Sequence, residues 1–221
     1  RHVALAPDGG IVIAGDFLEV GDTPRPGLAR LHPDGTLDAG FVPFFQAPVG
    51  IHSLALQADG SVVAWGDNSS TQTNVPANLT NVVAVSGSGS HSVALKADGT
   101  VVPCGSNGGD QNTVPGNVTN VIAIADGQVH CLALKADGTL VAWGVNEIGL
   151  TNIPPGLTNV VAVSAGATYN AVVQADGTVV AWGGLNYHGQ LGTPDGLSNV
   201  VSISTVGAHN LALRATGTVR A

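Results

Sequence analysis

Apolar and polar positions alternate with a period of two in short runs along most of the chain. In His130-Cys131-Leu132-Ala133-Leu134-Lys135, the histidine and the two leucines fall on one side, and Cys131, Ala133 and Lys135 on the other. Such alternation predicts a strand. Asp137-Gly138 follows, and then Leu140-Val141-Ala142-Trp143. The two runs predict a β-hairpin whose two turn residues both tolerate positive φ. After Trp143-Gly144 a polar loop leads to Pro154 and Pro155, which stop pairing. A third run, Asn159–Val163, is β-branched and apolar. Turn residues interrupt every run before helical length is reached, so helix has almost no support.

This pattern recurs. His130–Thr168, 39 residues, has near-copies in His52–Ser90, His91–Val129 and Tyr169–Ala208, and His209–Ala221 opens a further one. The hairpin pair recurs as Asp59-Gly60, Asp98-Gly99 and Asp176-Gly177, and becomes Thr216-Gly217 in the last unit. A fixed period of this length predicts a repeat architecture. Three clear strands with a short fourth in each unit predict one blade of a β-propeller. The expected fold class is therefore all-β: a β-propeller of about five repeat blades plus a partial one. A parallel β-helix is the alternative, but its coils are shorter and need no Asp-Gly hairpins. Trp65, Trp143 and Trp182 share one repeat position, where Cys104 stands in another unit; an aromatic there is expected to fill the gap between blades. Arg1–Asp16 and His209–Ala221 occupy the same phase of the repeat. Ends that duplicate rather than complement each other predict an incomplete or truncated ring.

Composition narrows the function. The 221 residues suffice for one all-β domain, and only 10% are charged, well below the usual quarter or so. Net charge is −8 with seven Lys and Arg that do not cluster, which argues against nucleic acid as a partner. No apolar run approaches the roughly 18 residues of a spanning helix, so no membrane insertion is expected. Methionine is absent, so position 1 is not read as a natural start.

Residues 1–50 keep a different rhythm. Ala4-Leu5-Ala6-Pro7-Asp8-Gly9, Gly15-Asp16-Phe17 and the segment from Gly27 to Phe41 suggest two hairpins, with Asp8-Gly9 and Asp34-Gly35 at their turns. This stretch resembles the delta-60 repeat, a bacterial propeller repeat of large surface or secreted proteins. From residue 51 onward the phrases are His91-Ser92-Val93-Ala94-Leu95, and Trp182-Gly183 with Asn186 and Gly189-Gln190. They resemble regulator-of-chromosome-condensation repeats, in the bacterial branch that includes propeller-type β-lactamase inhibitors. The resemblance implies a propeller in two continuous parts, 1–50 and 51–221, without a linker. The inhibitors carry aromatics just before the repeat histidine. Here those positions are Ile51, Ser90, Val129, Thr168 and Ala208, so the resemblance carries the fold and not that inhibitory activity.

His2, His52, His91, His130 and His209 share one position, with Tyr169 in the remaining slot. A residue repeated in every blade is expected to tie strand to turn within its blade. Histidines in separate blades are expected to lie too far apart to share an ion, so no metal site is expected. Asn68, Asn107, Asn146 and Asn186 form one periodic set and Asn81, Asn120, Asn159 and Asn199 another, both expected in turns. Cys104 and Cys131 fit no metal or redox spacing. They read as drift at packed positions, and a disulfide between neighbouring blades stays open. No catalytic set emerges, so the chain is expected not to be an enzyme and to need no cofactor.

Specificity in a repeat protein resides where the repeat is broken. Asp126, Gln128 and Val129 precede one histidine strand, and Glu147-Ile148 and Tyr187-His188 lie in loops after Trp-Gly. These are the candidate binding residues. The expected function is a non-catalytic protein-binding module of a larger bacterial surface or secreted protein, with carbohydrate as the second class of partner. A purely architectural spacer, an enzyme-inhibitor-like binder and a carbohydrate-active propeller are the alternatives.

Overall fold

The computed structural model describes residues 2–5, 11–14, 19–20, 23–24, 28–32, 34–38, 53–56, 60–65, 68–184, 186–206 and 208–221. The Asp8-Gly9 turn, His52 and the side chains of His2 and Trp65 lie outside that description. The strands are β1 (His2–Leu5), β2 (Ile11–Ala14), β3 (Glu19–Val20), β4 (Thr23–Pro24), β5 (Leu28–Leu31), β6 (Ser53–Leu56) and β7 (Val62–Trp65). They continue as β8 (Val82–Ser88), β9 (His91–Lys96), β10 (Val101–Gly105), β11 (Val121–Asp126), β12 (His130–Lys135) and β13 (Leu140–Gly144). The last are β14 (Val160–Ala165), β15 (Asn170–Gln174), β16 (Val179–Trp182), β17 (Val200–Val206), β18 (His209–Arg214) and β19 (Val219–Arg220).

Among the described residues every pairing is antiparallel, which excludes the β-helix there. The sheets are β8-β9-β10, β11-β12-β13, β14-β15-β16 and β17-β18-β19, preceded by β1-β2-β5, the β3-β4 pair and the β6-β7 pair. The four sheets from β8 onward are three-stranded blades. The expected fourth strand is not found in the blades from β8 onward, and the blade boundary differs from that of the sequence unit. The unit beginning at His130 supplies β12 and β13 to one blade and β14 to the next. The first strands β8, β11, β14 and β17 lie against one another in sequence and form the inner edge of the fan. Asp126 N donates to Ser86 Oγ across one such contact at 3.0 Å, and Thr205 N to Ser164 Oγ across another at 3.0 Å.

The Asp-Gly turns are not the expected type. Only the glycine has positive φ, +80° at Gly99, +78° at Gly138 and +82° at Gly177. Gly138 N donates to the Lys135 carbonyl and Lys135 N to the Thr139 carbonyl, each at 2.9 Å. That is a type I turn followed by a bulged glycine, the three-residue hairpin loop. The aspartate stays in the ordinary region and accepts from the residue beyond the glycine: Thr139 N reaches Asp137 Oδ1 at 3.0 Å. The second asparagine set does take the left-handed conformation, with φ +58° at Asn81, +55° at Asn120, +56° at Asn159 and +55° at Asn199. Each bends the chain into an inner strand whose second residue is the extra member of a β-bulge, Val83, Ile122, Val161 or Val201.

Alternation explains how the blades stack. Cys131 and Ala133 of β12 pack with Val93, Leu95 and Val101 of the preceding blade and with Trp143. Leu132 and Leu134 turn the other way and pack with Val160, Val172 and Trp182 of the following blade. Both faces of β12 are buried, and each buried leucine contributes about 1.5–3 kcal/mol. Trp143 and Trp182 thus fill the blade gaps, as their position predicts. In β18 the equivalent leucines are open, Leu211 at 46% and Leu213 at 39% exposure.

Candidate functional site

The repeat histidine joins blades, which differs from a tie within one blade. Asn170 Nδ2 donates to the Leu150 carbonyl at 2.8 Å. Its Oδ1 therefore accepts from His130 Nε2–H, 2.7 Å away. At the next junction the single Tyr169 hydroxyl proton is shared between the His209 carbonyl at 2.8 Å and Asn210 Oδ1 at 3.0 Å, while Asn210 Nδ2 donates to the Gln190 carbonyl at 2.8 Å. Each junction is thus a relay: the first repeat position of one unit, the second repeat position of the next, then a loop carbonyl. Gly127 leaves room for this arrangement, since a Cβ there would stand 2.0 Å from His130 Cε1. Burial lowers the His130 pKa, and its bond to Asn170 opposes the shift.

Buried glutamines complete the relay, a role the sequence did not assign, although Gln190 stands in the repeat phrase Gly189-Gln190. Gln72, Gln111 and Gln190 are buried, with Leu150 in the corresponding slot. Gln111 Oε1 accepts from Gly109 N at 2.7 Å and Gln72 Oε1 from Ser70 N at 2.8 Å, which draws the loop into the blade gap. The Gln111 carbonyl accepts from Trp143 Nε1 at 2.9 Å, and the Gln72 carbonyl accepts from Cys104 Sγ at 3.5 Å. Cys104 thus occupies the tryptophan's place and keeps its acceptor. The spacing of these glutamines along the repeat was the available signal. The first asparagine set also clamps this loop: Asn107 Oδ1 accepts from Asn112 N at 2.8 Å and Asn146 Oδ1 from Thr151 N at 3.0 Å.

One junction is chemically different. Cys131 replaces the serine or asparagine, and its Sγ lies 3.4 Å from His91 Nε2 and 3.6 Å from the Gln111 carbonyl oxygen. Asp126, the cross-strand partner of Cys131, stands 3.9 Å from His91 Nε2 through Oδ1. His91, Asp126 and Cys131 therefore converge, although they come from two blades and no metal-ligating group was expected. All three are buried. Burial holds the His91 pKa down at about 4, reinforced by nearby His130. Burial pushes the Asp126 carboxyl well above the usual carboxylate range. Burial and the neighbouring Asp126 push the Cys131 thiol up. Both cysteines are free thiols.

The candidate binding residues divide accordingly. Asp126 is the last residue of β11 and is buried between blades, so it is unavailable to a partner at the surface. The others gather at the end of the blades opposite the Asp-Gly turns. Gln128 and Val129 form the β11–β12 turn, and the Val129 carbonyl accepts from Val145 N at 3.0 Å, at the start of the loop holding Glu147 and Ile148. The Ile148 carbonyl in turn accepts from Gly184 N at 2.8 Å, at the entrance to the loop holding Tyr187 and His188. Gln128, Glu147, Ile148, Tyr187 and His188 are exposed and Val129 is half-buried, with Tyr187 at 80% and Ile148 at 36%. The result is one rim carrying two exposed apolar side chains, Ile148 and Tyr187, among polar ones, with Val129 half-buried beside them.

A family described as a domain of unknown function (DUF5122) beta-propeller matches residues 6–41, the stretch with the distinct rhythm. No curated protein matches the chain. Among solved structures, yeast RCC1 (Prp20) bound to Kap60 is similar with a TM-score of 0.69 at 18% identity, over 98% of this chain and 66% of that one. Prp20p from Saccharomyces cerevisiae, described with its binding properties to Gsp1p and histones, gives 0.66 at 20% identity, over 95% and 65%. Human WBSCR16 gives 0.62 at 20% identity, over 96% and 74%. The chain thus spans just under two thirds of the yeast protein. These likenesses establish a propeller fold of repeat blades, and fold alone assigns no activity.

Proposed function

We propose that the chain is a non-catalytic protein-binding module of a larger bacterial surface or secreted protein. In this reading, residues 1–50 are a delta-60-like repeat continuous with bacterial regulator-of-chromosome-condensation repeats over 51–221. The observation that carries the proposal is the rim: Tyr187, 80% exposed, and Ile148 stand on adjacent blades over rigid junctions, where the repeat itself needs neither. Exposed aromatic and aliphatic side chains on a rigid scaffold suit capture of a protein surface. The yeast protein of similar fold is bound to Kap60, and its binding to Gsp1p and histones is described; here a protein partner is the reading and carbohydrate the second class. Nucleic acid does not fit seven scattered basic residues.

The test is site-specific photocrosslinking on the surface of the source cells. A crosslinker at position 187 or 148 is expected to give one dominant protein adduct, and one at Asp98 or Asp137, at the opposite end, none. Equal labelling from both ends, or none from the rim, overturns the reading.

A further inference from the structure

The junction of His91, Asp126 and Cys131 has a property its neighbours lack. Each residue offers one ligand atom, and the three atoms lie within 4.8 Å of one another. Neither Asp126 oxygen has a hydrogen-bond partner within 3.5 Å, the candidates nearby being the Cys131 thiol and the Val93 backbone N–H, and the side chains of His91 and Asp126 are both fully shielded from solvent. An ionised carboxylate in that position needs a compensating charge.

We propose that His91 Nε2, Asp126 Oδ1 and Cys131 Sγ form a tetrahedral binding site for Zn2+ between two blades. The spacing is close to what zinc needs. Zinc bonds of about 2.0 Å to nitrogen and oxygen and about 2.3 Å to sulfur put tetrahedral ligands about 3.3–3.6 Å apart. The 3.4 Å between Sγ and Nε2 falls in that range. The 3.9 Å between Nε2 and Oδ1 exceeds it and closes by a small inward movement of the Asp126 side chain, whose ligand oxygen lies within 4.8 Å of Sγ. The charge also balances: a thiolate, a carboxylate and a neutral imidazole around a divalent cation leave no net charge in the blade gap. On binding, Cys131 and Asp126 each release their proton to solvent, and the sulfur and carboxylate lone pairs take the metal. The donor set of sulfur, nitrogen and one oxygen suits zinc over magnesium or calcium. The Gln111 carbonyl oxygen, 3.6 Å from Sγ, offers a neutral fourth donor. Because the site is closed, the ion enters while the blades are apart, during folding. The site is independent of the rim and of the binding proposed for it.

Neighbouring repeats supply a gentle test. Ala165 and Asn170 stand where Asp126 and Cys131 do, so Asp126→Ala with Cys131→Asn rewrites this junction as the next one. The reduced protein is refolded with Zn2+, dialysed against a chelator and assayed by mass spectrometry for metal. Wild type is expected to keep one Zn2+ per chain, and the double variant none with an unchanged far-ultraviolet spectrum. Co2+ in place of Zn2+ is expected to give a thiolate-to-cobalt charge-transfer band in wild type only. Cys131→Ser, which copies Ser92, is the second variant and is expected to lose the band. Wild type without retained Zn2+, or a variant that retains as much, overturns the site.

Discussion

His130 Nε2 stands 2.7 Å from Asn170 Oδ1, a buried bond from one blade to the next. Asn170 also donates to the Leu150 carbonyl at 2.8 Å, so one side chain fixes a histidine and a loop together. Asn170→Leu strands both groups, at about 1–3 kcal/mol for each orphan. Chemical denaturation is expected to show that loss, and Asn170→Ser, copying Ser92, to recover part of it.

Gly177 carries a second inter-blade contact. Its φ is +82°, and an added Cβ would meet Asn199 Cα at 2.8 Å and Asn199 N at 2.9 Å, both backbone. Gly156 has φ +80° with open space around it. Alanine at either position bears the left-handed strain of about 1–2 kcal/mol. Gly177→Ala is expected to cost clearly more than Gly156→Ala, and unfolding midpoints measure the difference.

Cys104 takes the tryptophan's place beside a small cavity lined by Val62, Val75, Leu79, Val93 and Val102. The Gln72 carbonyl, 3.5 Å from Sγ, is the acceptor an indole N–H would use. An indole adds far more volume than that cavity holds, so Cys104→Trp is expected to cost about 1–3 kcal/mol through overpacking despite regaining the donor. Thermal melting checks it.

The hairpin aspartates predict an acid response. Two hydrogen bonds from Thr139, the side-chain one first, hold the Asp137 pKa below 3.8, and the backbone and side chain of Thr178 do the same for Asp176. Below the unfolded value the unfolded chain binds more protons. Their contribution is therefore complete above about pH 4 and is lost as pH falls through the folded values. Carboxyl-carbon NMR titration should place Asp137 below an ordinary aspartate, and Thr139→Ala should move it back up.

Much of this was written in local pattern. Alternation in His130–Lys135 marks β12 and the two cores it divides, and Asp137-Gly138 marks the hairpin. The turn type was misread because Asp-Gly serves both a two-residue loop and a bulged three-residue one, and only the hydrogen bonds separate them. The blade boundary was misread because β14 follows β13 in the chain but pairs with β15. Gln128, Glu147 and Tyr187 were found as breaks in the repeat. Asp126 was found by the same rule, yet its carboxyl is buried. The His91–Cys131 approach depends on which blade a histidine faces, and a linear pattern carries no such direction.

The offset between sequence unit and blade governs how the chain divides into pieces. A fragment cut at the repeat boundary before His130 would carry β11 without β12, leaving an inner strand with no hydrogen-bonded neighbour in its own sheet. A cut within the 145–159 loop leaves both sheets whole. Excised or transplanted segments of this array therefore keep their pairing when their ends fall in the Asn-Pro loops.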